Sequence, residues 1–361
     1  MNTTFEPNFA IPPGETLAET LETLGMTQAE LAERMGRPLK TINEIVVGKA
    51  MITSDTALQL EKVLGVPASF WSNRERLYRD ALARRREAGQ LKQQLDWIKN
   101  LPVKELVRMG WINAASDEVG QLRAVLSFFG VAGVEEWRAL WESPEAAFRQ
   151  SGAFAANPGA TAAWLRKGEI EAQKVDSAPF DGTALAEALR YLRGFTMKEP
   201  AEFVPILSER CARAGVAVVF VPPLSGVRAY GVSRWLHSSK ALIQLSLRGK
   251  TDDHLWFTFY HEAGHVVKHG KRAVFVEETD SEGAARDPKE AEADAFAQEC
   301  LIPSGDYERF CLNGDFSLAA IRRFASRIGI APSIVAGRLQ HERKIPFSRA
   351  NQLKRRFDFG D

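Results

Sequence analysis

The sequence is poor in cysteine. It has three, Cys211, Cys300 and Cys311, in 361 residues. That is too few for a disulfide scaffold or for a zinc site built from cysteines alone. The cysteine content therefore fits a reducing compartment.

Long hydrophobic runs are also lacking. The longest, Val216 to Pro223, is far shorter than the ~20 residues that a membrane helix needs. Residues 1–15 contain neither a continuous apolar stretch nor a basic region before one, as a secretory signal would. The sequence therefore predicts a cytoplasmic protein without a membrane partner.

Neither sign of charge dominates. Forty-seven Lys and Arg residues face 46 Asp and Glu residues, for a net charge of +1. This excludes a chain that is basic throughout, but an average over several domains can hide a local basic face. At about 150 residues per domain, the length predicts two to three domains.

Residues 14–67 have the pattern of four short helices separated by glycines. Thr27 and Glu30 have the spacing of a capping box at the start of the second helix. The third helix begins at Pro38, which favours a first helical turn. The second and third helices, joined by a tight turn at Gly36, have the proportions of a helix-turn-helix.

The run from Gly14 to Trp71, GETLAETLETLGMTQAELAERMGRPLKTINEIVVGKAMITSDTALQLEKVLGVPASFW, resembles the Xre-type repressors and, among them, the HigA class of antitoxins. In that family the exposed side of the third helix enters the DNA major groove. The resemblance implies contacts with operator DNA from these residues: Lys40, Thr41, Asn43 and Glu44 on the third helix, Gln28 at the start of the second, and Lys49 after the third.

The charge of this region bears on its binding to DNA. It carries more acidic than basic residues, so we expect the isolated domain to bind DNA weakly. A homodimer, or the arginine-rich segment from Arg74 to Lys92, would strengthen the binding. A helical bundle with solvated polar residues, or a helix-turn-helix that recruits a protein and never contacts DNA, would show the same pattern.

Residues 91–200 have helical periodicity and few chemically reactive side chains. Trp137, Trp141 and Trp164 are predicted to anchor a core, because the first two share a helix face at positions i and i+4. We predict a helical connector here, and its residues assign it no function.

The C-terminal region changes to strands at residues 216–221, 227–236 and 241–247, for which we expect a small antiparallel sheet. A helix from Thr251 or Asp252 then holds His261, Glu262 and His265 in the spacing H-E-x-x-H. Both imidazoles can reach one metal ion from a single helix face, and Glu262 is placed to take a proton from water.

A second helix, in the run DPKEAEADAFAQECLIP, carries Glu290 and Asp294 on one face, while Glu292 points elsewhere. A catalytic zinc needs a third protein ligand and an open position. Glu290 as that ligand, with Asp294 orienting a histidine ligand by a hydrogen bond, meets this need. His269 and His254 are predicted to be surface or packing residues.

Three stretches resemble the ImmA/IrrE family of zinc metallopeptidases, over roughly residues 200–341: GVSRWLHSSKALIQLSLRGKTDDHLWFTFYHEAGHVVKHG, EAEADAFAQECLIP and FASRIGIAPSIVAGRLQHE. The resemblance implies cleavage of a DNA-binding repressor, and several members carry an Xre-type domain at the N terminus. The expected cofactor is Zn²⁺, with Mn²⁺ as the alternative in the cell. Asp294 stands where many relatives have Asn.

Three features near the predicted metal site have candidate roles. The insertion Lys271 to Arg286 is either a lid or, as we favour, a surface loop. The strand Ala229 to Trp235 is a candidate for pairing with an extended substrate. The candidates for stabilising an oxyanion are Tyr230, His237, Tyr260, Tyr307 and His341.

We therefore predict a mainly α protein with a small β-sheet (α+β). It would comprise a helix-turn-helix bundle over residues 1–72, a helical connector over 73–200 and a zincin-like metallopeptidase domain over 201–361. The expected function is a DNA-binding transcriptional regulator whose zinc endopeptidase cleaves a repressor or antitoxin-type protein in a stress, phage or toxin–antitoxin response. The alternative is a HigA-like antitoxin or repressor whose peptidase-like domain senses a metal or ligand without hydrolysis.

Overall fold

The computed structural model describes residues 11–142, 157–246, 248, 251–269, 275–278 and 288–357, and for 275–278 it describes the backbone. Contacts divide the chain into two compact units, one ending at Leu95 and the other beginning at Asp96. The predicted α+β class is confirmed, with helices predominating in both units. The predicted domain limits at 72/73 and 200/201 stay predictions.

The first unit is a bundle of helices. They are α1 (Pro13–Thr23), α2 (Gln28–Met35), α3 (Leu39–Val46), α4 (Ser54–Leu64) and α5 (Ala68–Lys92). The predicted capping box is present: the Glu30 amide donates to the Thr27 hydroxyl at 3.2 Å, and the Thr27 amide donates to the Glu30 carboxylate at 2.7 Å. Pro38 is the residue before α3 and not its first turn, because its backbone is extended, with ψ 137°.

The turn between α2 and α3 follows the predicted pattern. Gly36 ends α2 with φ 63°, in the left-handed region that favours glycine. Ile42 and Ile45 then face inward at 0% and 1% exposure, which leaves the opposite side of α3 in solvent. Six large side chains form the fully buried centre of this unit: Leu17, Leu31, Ile42, Ile45, Leu60 and Trp71.

Helices also form most of the second unit. Those described are α6 (Val103–Arg108), α7 (Glu118–Phe129), α8 (Val134–Trp141), α9 (Pro158–Lys174), α10 (Gly182–Leu192), α11 (Pro200–Arg213), α12 (Asp252–Lys268), α13 (Pro288–Leu301), α14 (Ser304–Leu312), α15 (Leu318–Ile328) and α16 (Pro332–His341). None of the helices in the described ranges is long and apolar enough to cross a bilayer. Trp137, Trp141 and Trp164 are buried, as predicted.

The sheet has four strands in the order β1-β3-β2-β4: β1 (Val216–Phe220), β2 (Ala229–His237), β3 (Lys240–Leu245) and β4 (Phe275–Glu278). The expectation of a wholly antiparallel sheet is wrong, because β1 pairs with β3 in parallel. After β1 the chain forms β2 two positions away in the sheet. It then turns back as β3, which fills the position between β1 and β2 and runs parallel to β1.

The expected pairing of β2 with a substrate is also corrected. β4 occupies the second edge of β2, with Gly231 opposite Glu277 and Val232 opposite Val276. Since β3 holds the first edge, these residues of β2 have no edge open to an added strand. Apart from β4, the insertion Lys271 to Arg286 lies outside the described residues.

Helix α12 is fixed at its start by the C-terminal segment. The buried Asp252 carboxylate accepts from Arg355 Nε at 3.0 Å and from the Ser333 hydroxyl at 2.7 Å, and Asp253 pairs with Lys354 at 2.7 Å. Acidic side chains at this end also interact favourably with the helix dipole. These contacts determine the orientation of the helix that carries the H-E-x-x-H residues.

Helix α13 packs closely against α12 at Gly264. A Cβ at this position would lie 3.1 Å from Phe296 Cδ1 and 3.2 Å from the Ala293 Cα. The glycine and the small alanine therefore allow the close approach of the two helices. This contact brings the acidic residues of α13 to the histidine face of α12.

We predict that Gly264→Val destabilises the second unit by about 1–3 kcal/mol, because the added methyl groups overpack the contact. Gly305→Val is the matched control, since Gly305 is also helical but has no atom within 4 Å of an added Cβ. Thermal unfolding of the chelator-treated protein measures both. A Gly264→Val protein that unfolds at the same temperature as the Gly305→Val protein would contradict the prediction.

Candidate metal centre

Four polar residues meet where α12 faces α13, and a fifth, Glu262, lies on the part of α12 that faces β2. His261, Glu262 and His265 on α12 are 2%, 0% and 2% exposed. Glu290 and Asp294 extend from α13 toward them. Burial of this many polar groups is costly unless each is hydrogen-bonded or binds an ion.

Ligand atoms of three residues converge on one point. His261 Nε2 lies 3.0 Å from His265 Nε2 and 3.1 Å from Glu290 Oε2, and His265 Nε2 lies 3.4 Å from Glu290 Oε1. Ligand atoms at tetrahedral positions around zinc, with bonds of about 2.0–2.2 Å, would be about 3.3–3.6 Å apart. The spacing therefore fits a zinc ion to within a few tenths of an ångström.

The protonation of His261 favours the same conclusion. Its Nδ1 lies 2.9 Å from Asp294 Oδ1, and because an ionised carboxylate only accepts, Nδ1 must carry the proton. Nε2 then presents a lone pair to the Glu290 carboxylate. Two facing acceptors are stable only with a proton or a cation between them, so this donor set fits a metal ion.

The ionisation states of Glu290 and His265 also favour the binding of a cation. Burial raises the pKa of Glu290, but His261 and His265 in their protonated forms outweigh it through hydrogen bonds and charge and lower the pKa to about 2. A cation held between the imidazoles would stabilise the carboxylate in the same way. Burial lowers the pKa of His265. The carboxylate is therefore ionised and the imidazole neutral at physiological pH, which are the forms that bind metals.

Glu262 is held against the sheet. A Cβ on Gly231 of β2 would lie 2.9 Å from Glu262 Oε1 and 2.7 Å from Thr258 Cγ2, so only glycine leaves room for the carboxylate. Gly231 was not among the residues predicted from the sequence. The available signal was a glycine inside a strand, which often marks the close approach of another group.

Two of the candidate oxyanion stabilisers donate hydrogen bonds to groups outside this centre. The Tyr260 hydroxyl is buried and donates to the Leu189 carbonyl at 2.7 Å. The Tyr307 hydroxyl donates to the Glu342 carboxylate at 2.9 Å. Both hydroxyl protons therefore have structural partners.

The predicted DNA-contacting residues lie on the polar side of the helix-turn-helix. Lys40, Asn43 and Lys49 are exposed, while Gln28, Thr41 and Glu44 are partly buried. The Lys40 side chain is 86% exposed, and its ammonium lies 3.8 Å from Glu44. An exposed pair at this distance is weak and would yield readily to a phosphate.

The arginine-rich segment is partly engaged within the first unit. Arg74 donates to the Thr16 hydroxyl at 2.8 Å, and Arg79 pairs with the buried Glu75 at 2.6 Å. At least these two guanidinium groups have intramolecular partners. Their contribution to DNA binding stays a prediction.

Comparison with known families agrees with this arrangement. Residues 17–71 match the helix-turn-helix family, and residues 211–340 match a peptidase family described as the IrrE N-terminal-like domain. The chain joins an Xre-like helix-turn-helix domain to an ImmA/IrrE-like metallopeptidase-like domain. The first supports DNA binding, and the second implies a metal, typically zinc.

Individual relatives match a smaller part of the chain. Virulence-associated protein I of Dichelobacter nodosus is 40% identical over 70 residues, which are 19% of this chain and 65% of that protein. The chain thus spans just under two thirds of that relative's length.

Two solved structures are also similar. One is an addiction module antidote protein of a HigA family from Coxiella burnetii, with 34% identity, 23% of this chain and 92% of that chain covered, and a TM-score of 0.22. The other is described as an antidote protein of a plasmid maintenance system from Nostoc punctiforme, with 32% identity, 23% and 91% covered, and a TM-score of 0.23.

Asp294 offers a test of the metal centre. We predict that Asp294→Ala weakens Zn²⁺ binding by about 10–100-fold, because His261 loses the acceptor that orients it. Asp294→Asn retains an oxygen acceptor and is expected to lose less. Competition with a chromophoric chelator measures both affinities. Equal, undiminished affinity in both variants would contradict the assignment.

Proposed function

We propose that this protein is a DNA-binding transcriptional regulator whose second unit is a zinc-dependent endopeptidase, and that it cleaves a repressor or antitoxin-type protein. The observation that carries the proposal is the convergence of ligand atoms from His261, His265 and Glu290 within 4.8 Å of one another. The buried Glu262 carboxylate beside them supplies the general base that peptide hydrolysis requires.

Each residue has a distinct task in this proposal. His261, His265 and Glu290 hold the metal, and Asp294 keeps the proton on His261 Nδ1. Zinc held by these residues would lower the pKa of water and polarise the scissile carbonyl. Glu262 accepts a proton from the attacking water and delivers it to the nitrogen of the departing amine.

The surroundings of Glu262 suit this task. Its side chain is fully buried, so its interaction with a nearby charge is stronger than it would be in water. Gly231 of β2 lies directly against the carboxylate and leaves it little room to move. No covalent intermediate with the protein is required.

The DNA-binding part of the proposal rests on α3. Because Ile42 and Ile45 bury one side of this helix, Lys40 and Asn43 extend into solvent on the other. A helix presented in this way can enter the major groove of an operator. A regulator that carries both activities suits a stress, phage or toxin–antitoxin response, in which removal of a repressor changes transcription.

We predict that Glu262→Gln retains Zn²⁺ and the fold but loses cleavage by at least about 10²–10⁴-fold, since the amide cannot accept the proton. The full chain, loaded with Zn²⁺ or Mn²⁺, is incubated with repressors and antitoxins encoded by neighbouring genes and with itself. Mass spectrometry then identifies a discrete cut that a chelator prevents.

Glu308→Gln is the control for this experiment, because Glu308 is exposed on α14. A fully active Glu262→Gln protein would contradict the proposed mechanism. Zn²⁺ binding without cleavage of any of these proteins would instead favour a non-hydrolytic sensor.

For DNA binding, we predict that Asn43→Ala weakens binding to the protein's own promoter by about 1–3 kcal/mol through a lost base contact. Lys40→Ala is expected to reduce the slope of log affinity against log salt by about one, through a lost phosphate contact. Fluorescence anisotropy over a series of salt concentrations measures both. Lys62→Ala, which removes an exposed lysine of α4, is the matched control, and an equal loss in all three would contradict the docking of α3.

A further inference from the structure

His269 follows the end of α12, where sequence spacing predicts a surface or packing residue. The structure buries its side chain to 5% exposure. Its Nδ1 lies 2.9 Å from His265 Nδ1, and its Nε2 lies 3.2 Å from Glu292 Oε2. A chain of hydrogen bonds therefore runs from Glu292 through His269 to a proposed metal ligand.

The order of protons along this chain follows from its carboxylate end. An ionised Glu292 carboxylate can only accept hydrogen bonds. The Nε2 of His269 therefore carries a proton and donates a hydrogen bond to it. With its proton on Nε2, the imidazole of His269 offers the lone pair of Nδ1 as an acceptor. His265 must donate to it from Nδ1, which leaves a lone pair on His265 Nε2.

That lone pair is directed at the proposed metal centre. His265 Nε2 is the atom that lies 3.0 Å from His261 Nε2 and 3.4 Å from Glu290 Oε1. Asp294 imposes the same tautomer on His261 by a direct hydrogen bond. The two histidine ligands thus have equivalent support, one from a carboxylate and one from an imidazole backed by a carboxylate.

We propose that His269, supported by Glu292, is a positioning residue that fixes the tautomer and the ring orientation of His265 for metal binding. This inference rests on the proposed metal centre but not on peptide cleavage. It also gives α13 a second role, because Glu290, Glu292 and Asp294 come from one helix.

The geometry argues against His269 as a metal ligand itself. Its Nδ1 faces the Nδ1 of His265, which is the ring nitrogen directed away from the centre. Among the described residues, the group able to hold a metal comprises His261, His265 and Glu290. His269 therefore acts through His265.

The two members of the chain are not expected to contribute equally. The Glu292 side chain is 63% exposed, against 12% for Asp294, so solvent screens its charge. The His269 imidazole is buried and contacts the ligand directly. Loss of His269 should therefore weaken the metal site more than loss of the Glu292 charge.

The test compares His269→Leu with His269→Gln in the full chain. Leucine offers no acceptor to His265 Nδ1, whereas the glutamine amide oxygen does. We expect His269→Leu to weaken Zn²⁺ binding by about 10–100-fold, in the range for lost partners of metal ligands. His269→Gln should recover most of that loss, Glu292→Gln should fall between wild type and His269→Leu, and Glu308→Gln should match wild type.

Three measurements separate positioning from simple destabilisation. Chelator competition gives the Zn²⁺ affinity, and the visible absorption of the Co²⁺-loaded protein reports the ligand geometry. Thermal unfolding of the metal-free variants shows that each is folded. We expect the Co²⁺ spectrum to change in His269→Leu and to return toward wild type in His269→Gln.

Wild-type Zn²⁺ affinity and an unchanged Co²⁺ spectrum in His269→Leu would overturn the inference and leave the proposed metal centre standing. Equal impairment of the leucine and glutamine variants would also overturn it, since packing alone would then explain the loss. A wild-type chain that binds no Zn²⁺ would overturn the metal centre and this inference together.

Discussion

Two helices can share one metal ion only if they pack closely along the faces that carry the ligands. Helices α12 and α13 pack closely where Gly264 of α12 faces Ala293 of α13. A larger side chain at either position would move Glu290 away from His261 and His265. The whole candidate centre therefore depends on a contact between two residues that perform no chemistry.

The same contact places polar groups where water is scarce. Desolvation of histidine and carboxylate side chains costs free energy, which hydrogen bonds and a bound cation can offset. Asp294 supplies such a bond to His261, and His269 supplies one to His265. A site arranged in this way has its ligands oriented before the metal arrives, so less ordering accompanies binding.

The surrounding fold holds α12 at several points along its length. Asp252 is tied to Arg355 at the start of the helix, and the Tyr260 hydroxyl is tied to the Leu189 carbonyl further along. The sheet then approaches the helix so closely at Gly231 that no other residue type leaves space for Glu262. Such support suits the role of general base that we propose for Glu262.

Sequence reasoning predicted those features that depend on local spacing. The i and i+4 positions of His261 and His265, the matching face of Glu290 and Asp294, and the capping box at Thr27 all follow from helix periodicity. The order of the strands and the pairing of β4 with β2 depend on contacts between residues far apart in the sequence. Local sequence patterns do not predict such contacts. The contact between His269 and His265 was not predicted, because His269 lies past the helix end, where periodicity no longer predicts direction.

The central claim is that two imidazoles and one carboxylate of this chain bind a single metal ion. X-ray absorption at the zinc edge of the Zn²⁺-loaded full chain tests it most directly, because the technique identifies the atoms bonded to the metal. We expect one zinc per chain with nitrogen and oxygen neighbours at about 2.0–2.2 Å, two of them imidazoles. Sulfur neighbours, or a shell of oxygen atoms without imidazole scattering, would contradict it.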